Sequence, residues 1–295
     1  MKLYDDKVLN GAIDIHIHAG PDYMPRYADS VTLAQEAAAC GMRAIVTKCH
    51  LFPTVGAAAV ACELVPQVKT FGSISLNETA GGLSPRSVMA AVLTGAKVIW
   101  LPTVDSKYNL EKAKQGHWIK HYVNSSSFGY HTGRLSVTDE EGRLLPAAQE
   151  ILRICKEKEA ALCSGHISPQ ECLAVAREAK KISFSHFEIT HANAWPDDFT
   201  PPVLSELVEN GALVSISYGV CSPRNGRQDP EEIAALIKAL GAQNCIIMTD
   251  YGQVTSPSPV QGLRAFYYLL KASGITESEL NLMLKENPAR LLYLS

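Results

Sequence analysis

Short apolar runs recur along this chain at intervals of roughly 25–30 residues, and each is followed by a longer stretch with helical spacing of its apolar positions. The runs are Ala12–His18, Arg43–Cys49, Thr70–Asn77, Lys97–Thr103, Ala160–His166, Ser183–His191, Ala212–Tyr218 and Asn244–Asp250. Their length and apolar content predict buried strands. The stretches between them, such as VTLAQEAAAC, GAAAVACELV, PRSVMAAVLT and PEEIAALIKAL, are rich in Ala and Leu and predict helices. Several helix starts are written out. Ser168, Pro169 and Glu171 supply an N-cap, a proline at the first helical position and a capping-box partner. Asp229, Pro230 and Glu232 have the same form, and Thr276 with Glu279 opens the last helix. Helix stops stand at Cys40-Gly41, Asn210-Gly211 and Leu240-Gly241.

Repeated βα units in this number predict an α/β protein, a (β/α)8 TIM barrel forming a single domain over residues 1–295. An open doubly wound sheet would want a glycine-rich phosphate turn after its first strand, and HIHAGPD is not one. One connection breaks the rhythm. Residues 104–146, roughly 40 positions between the fourth strand and the next helix, form an insertion with a hairpin expected around Glu141-Gly142. It follows the C-terminal end of a strand, so it is expected to act as a lid or specificity loop on the catalytic face.

The first run departs from what a core wants. In GAIDIHIHAGPD, Ile13, Ile15 and Ile17 make one face, expected to pack in the core. Asp14, His16 and His18 make the other, expected to look into the barrel and up to its mouth. Further polar residues sit at the ends of other strands: Lys48 in VTKCH, His166 in CSGH, His191 in EITHAN and Asp250 in MTDYG. The C-terminal strand ends are where (β/α)8 barrels keep their chemistry. A single histidine there reads as a satisfied core residue. An H-x-H pair, two more strand-end histidines and a strand-end carboxylate read as a ligand set for a divalent cation. Zn fits best, as one or two ions, and Mn, Fe or Ni are also compatible.

These motifs resemble the amidohydrolase superfamily, metal-dependent (β/α)8 enzymes that mostly hydrolyse amide, ester or related bonds. The resemblance rests on DIHIH, CSGH, EITHAN, MTDYG and the C-terminal ENPARLLYL, and spans nearly the whole chain. HAGPD, TKCHLFPT and ENPARLL look like an uncharacterised cytosolic branch of it. The resemblance implies that His16, His18 and Asp250 hold the more buried metal, and that His166 and His191 hold a second. It also implies that Asp250 and His191 are catalytic. Many members bridge two metals with a carboxylated lysine ending the fourth strand, but here Lys97 stands at that strand's wrong end. Lys48 is the substitute ranked first and Glu78 the second. Substrate contacts are expected from His50, which should point the same way as Lys48, and from Arg224 and Arg227, which could clamp an anionic group. His117, His121 and His131 are read as lid or surface residues, and His186 as a packing residue.

Composition narrows the partners. The chain has 295 residues, 46% hydrophobic and 19% charged, with a net charge of -3. That is ordinary for a globular protein and excludes neither enzyme nor binder. It gives no basic footprint for nucleic acid or an acidic membrane, and no apolar run is long enough to span a bilayer. The N-terminus lacks a signal-peptide core, so the expected location is cytoplasmic. None of the eight cysteines forms a C-x-x-C pair. Most read as small buried thiols, with Cys49 and Cys163 near strand ends.

The expected partner is a small-molecule substrate, with homo-oligomerisation left open. The expected reaction is hydrolysis of an amide, ester or related bond by metal-activated water. The rivals are a metal-dependent decarboxylase or isomerase of the same fold, and a non-catalytic metal- or ligand-binding barrel.

Overall fold

The computed structural model describes residues 7–117, 134–222 and 225–294. Eight parallel strands follow one another in sequence order around a (β/α)8 barrel. They are β1 (Ile13–His18), β2 (Ala44–Lys48), β3 (Lys69–Ser75), β4 (Ala96–Trp100), β5 (Ala161–Cys163), β6 (Phe187–Ile189), β7 (Leu213–Ser217) and β8 (Cys245–Met248). The ring is closed by a parallel bridge between Ile17 and Tyr251, with His18 N donating to Tyr251 O at 2.7 Å and Asp250 N to His16 O at 3.1 Å. The helices outside the ring are α1 (Ser30–Ala39), α2 (Val55–Leu64), α3 (Pro85–Leu93), α4 (Lys107–Lys114), α5 (Pro146–Glu157), α6 (Pro169–Lys181), α7 (Pro201–Glu209), α8 (Pro230–Leu240) and α9 (Pro259–Ala272). Two short helices, α10 (Glu277–Asn281) and α11 (Asn287–Leu291), end the chain around one π-helical turn, Leu282–Glu286.

The predicted caps form. Ser168 with Glu171 and Thr276 with Glu279 make complete capping boxes. Asp229 caps α8 by accepting from Glu231 N, without a box.

The strands alternate between two apolar layers. Ile17, Ile45, Ile74, Ile99, Leu162, Val214 and Ile247 pack outward against the helices. Ile13, Ile15, Val46, Val98, Trp100, Cys163, Ile246 and Met248 fill the barrel, with Leu291 and Leu292 among them. This corrects the expected alternation of β1, because Ile13 and Ile15 join the interior layer and not the helix side. The register of β1 against β2 shifts between Asp14 and Ile17, which rotates the strand partway along. Isoleucines therefore fill the lower barrel and histidines its upper end.

Apart from β1, the strands are also shorter than expected at their C-terminal ends. His166, His191 and Asp250 do not end strands but lie just beyond β5, β6 and β8. His191 and Asp250 adopt positive φ, 35° and 56°. The chain leaves the ladder there and turns the side chain into the mouth.

The insertion carries an unexpected helix, α4, N-capped by Ser106, whose side chain accepts from Asn109 N. The turn at Glu141-Gly142 is present, with Thr138 and Leu144 bridged antiparallel. Among the described residues, no helix is long and apolar enough to cross a membrane.

Candidate metal centre

Barrel closure sets β1 beside β8, and the residues that end this seam converge. His16 Nε2 lies 3.2 Å and His18 Nε2 3.1 Å from the same Asp250 oxygen, Oδ1. Both imidazoles are buried, and burial first, then neighbouring cations, holds them well below their usual pKa. They are neutral and offer lone pairs. Burial pushes the Asp250 carboxyl up to about 7, against the pull of Lys48 and Arg26. Asp14, missed as a site residue by sequence reasoning, fastens the seam. Its carboxylate accepts from Thr249 Oγ1 at 2.5 Å, from Thr249 N at 3.3 Å and from His16 N at 3.1 Å. Those bonds fix the residue before Asp250 and the backbone of His16 together.

Lys48 ends β2, is fully buried and reaches into the same space. Its Nζ lies 3.1 Å from His16 Nε2 and 4.3 Å above the Trp100 ring. Burial brings its ammonium down to about 8, partly opposed by Asp250. His50, just beyond the end of β2, also turns toward the cluster, its ring 4.9 Å from His18. Its Nδ1 meets Thr103 Oγ1 at 2.8 Å, and Asn77 Nδ2 donates to Thr103 Oγ1 at 2.7 Å and to His50 O at 2.8 Å. Neither Thr103 nor Asn77 carries a sequence signal, because an isolated Thr or Asn at a strand end is common in any barrel.

A second donor pair completes the rim. His166 Nε2 and His191 Nε2 are 3.2 Å apart, and both rings are buried and held below their usual pKa by burial. Trp195, itself buried, lies beside both rings and stacks on His117 at 4.5 Å. His117, expected at the lid or surface, therefore touches the loop that carries His191.

The loop after β1 adds a cation. Arg26 is almost fully buried and pairs with Asp22, with Nε at 2.8 Å and Nη2 at 2.6 Å from Oδ2. Its charge lowers the pKa of both His18 and Asp250.

Glu78 stays apart. It starts a short 3-10 turn and is exposed, so the structure does not bring it to the cluster. Buried Asn77 turns inward in its place. Arg227 is exposed on the loop after β7. Arg224, His121 and His131 lie outside the described residues. His186 stacks on Tyr293 and bonds Leu291 O, on the C-terminal segment. The thiols of Cys49 and Cys163 are pushed up by burial, Cys49 to about 11, which leaves them protonated.

The donor set fits a cation. His16, His18 and Asp250 are the described residues whose ligand atoms all lie within 4.8 Å of one another in a metal-ligating group. Two ligands of a tetrahedral zinc, each at 2.0–2.1 Å, stand about 3.3 Å apart, close to the spacing of these imidazoles from Asp250. Nδ1 of both His16 and His18 is buried without a partner among the described residues. Among the described residues, each ring's polar contacts are therefore on the Nε2 side, where the donors converge.

A family described as a family of unknown function (DUF6282) matches residues 11–215. The chain belongs to this family. No curated protein sequence matches it. Among solved structures, this DUF6282 member is similar to an amidohydrolase from Pseudomonas aeruginosa at 13% identity, over 97% of each chain, with a TM-score of 0.64. It is similar to a lactonase from Listeria monocytogenes at 13% identity, over 98% of this chain and 96% of that one, with a TM-score of 0.60. It is also similar to a 2,6-dihydroxybenzoate decarboxylase at 10% identity, over 97% of this chain and 100% of that one, with a TM-score of 0.59. At these identities the likeness is one of fold. The neighbours are amidohydrolase-superfamily structures, which matches the resemblance read from the motifs.

Proposed function

We propose that this protein is a metal-dependent hydrolase of the amidohydrolase type that acts on an amide, ester or related bond of a small anionic substrate. The observation that carries the reading is the convergence of two neutral imidazoles and one carboxylate on one point at the barrel mouth. His16, His18 and Asp250 would hold one divalent cation, with zinc the best chemical match. His166 and His191 are a donor pair for a second. A cation held there would supply a Lewis acid and make water acidic enough to act as hydroxide near neutral pH.

The chain's own groups do the rest. Asp250 takes a proton from the attacking water and delivers it to the leaving group, the acid–base task open to a carboxyl set among the ligands. With a single cation bound, His191 would instead steady the developing oxyanion from the opposite rim. Lys48 places buried positive charge beside the ligands, which favours an anionic substrate. Trp195 and Tyr23, whose ring is 6.3 Å from His50, supply apolar surface that keeps bulk water from the reacting bond.

Asp250→Asn tests the reading. Screened with Zn or Mn against lactones, dipeptides and phosphotriesters, the wild type should turn over at least one class. The variant should lose that turnover at least about a hundredfold while keeping its fold. Full activity in Asp250→Asn would exclude the assigned role. The same buried cation also supports a second reading, decarboxylation of an acid held by Lys48. Release of carbon dioxide without consumption of water would separate it from hydrolysis.

A further inference from the structure

The helix that opens the insertion is built into the histidine cluster. Ser106, the N-cap of α4, donates its Oγ hydrogen to the His166 carbonyl at 2.6 Å. One turn on, Asn109 is fully buried, with Oδ1 2.9 Å from His166 Nδ1. The orientation of that amide follows from its other contact. Its Nδ2 lies 3.5 Å from Val104 O, and a carbonyl can only accept. The group facing Val104 is therefore the amide nitrogen, and the group facing His166 is the amide oxygen, which also can only accept. His166 Nδ1 must then carry the hydrogen, and the neutral ring keeps a bare lone pair on Nε2. That atom faces His191 Nε2.

We propose that Asn109 is a positioning residue that locks His166 in the Nδ1–H tautomer and so aims an unprotonated Nε2 into the centre. No other described histidine of the cluster is held in this way. Nδ1 of His16, His18 and His191 has no partner among the described residues. His50 Nδ1 meets the Thr103 hydroxyl, which can donate or accept. The lock comes from the insertion, so the insertion helps to build the centre. The consequence for cation affinity rests on the proposed metal-dependent function, whereas the tautomer itself does not.

The test separates the two. In metal-free, 15N-histidine-labelled protein, long-range 1H–15N correlation reads the tautomer, with the His166 signals identified by their loss in His166→Gln. His166 should show a pyrrole-type Nδ1 and a pyridine-type Nε2. Asn109→Leu, which has no acceptor, should convert this to a mixture or to the Nε2–H form. Asn109→Asp, which keeps an acceptor, should restore it. Zn affinity, measured by competition with a chromophoric chelator, should weaken 10–100-fold in Asn109→Leu and recover in Asn109→Asp. An Nε2–H His166 in the wild type would overturn the proposal. So would a folded Asn109→Leu with unchanged tautomer and affinity. A wild type with the stated tautomer but no Zn binding would remove the metal-dependent function and leave the role of Asn109 standing.

Discussion

Gly252 carries the most exacting test of the centre's geometry. It follows Asp250 by two residues, at φ +132°, where the β8 end passes against His18. A Cβ placed on it would overlap the His18 carbonyl oxygen, and would lie 2.7 Å from the carbonyl carbon and 2.8 Å from the His18 Cβ. The oxygen overlap is the tightest of these contacts, so Gly252→Ala needs the two backbone segments to part by more than about 1 Å. The unfavourable φ adds about 1–3 kcal/mol. Both segments carry proposed ligands, and metal distances tolerate only about 0.2 Å. Gly252→Ala should therefore lose at least about 2 kcal/mol of stability in urea denaturation, and weaken Zn binding by on the order of 100-fold or more in chelator competition. Gly56, on the exposed side of α2, is the control. A Cβ there meets nothing within 4 Å. Gly56→Ala should be neutral or stabilising by up to about 1 kcal/mol, with unchanged Zn affinity. A Gly252→Ala protein with wild-type urea midpoint and wild-type Zn affinity would refute the close packing of β8 against His18.

Two further outcomes follow from the same groups. Zn at about 100 times its dissociation constant should stabilise the chelator-treated protein by about 2.7 kcal/mol, or roughly 5–10 °C in thermal midpoint, and a His16→Ala, His18→Ala double variant should show no such shift. Lys48, fully buried, has an ammonium pKa brought down from 10.5 to about 8, so the metal-free fold binds fewer protons than the unfolded chain between those values, and its stability should rise with pH across that window. Lys48→Met should accordingly be more stable than wild type below pH 8, by at most about 3 kcal/mol, with the gap closing toward pH 10.5 in denaturation series. The same variant should lose activity toward anionic substrates.

Much of this protein is set by short-range pattern. The spacing of apolar runs and the caps at Ser168 and Thr276 determine the strands, the helices and the barrel, because each depends on residues within a few positions of one another. The ligand candidates were legible for a related reason: an imidazole or carboxylate at an apolar strand's end is out of place in a core, and few causes put it there. The tertiary structure decided what those residues meet. His18 and Asp250 are 232 positions apart and come together only because the ring closes between β1 and β8. A register shift in β1 moved Ile13 and Ile15 into the barrel, which strict alternation could not foresee. The supports, Asp14, Arg26, Asn77, Thr103 and Asn109, are ordinary polar residues in sequence. Their roles come from burial and from partners on other strands and loops. A hydrogen bond depends on where two atoms stop in space, and for these residues only the closed barrel determines that.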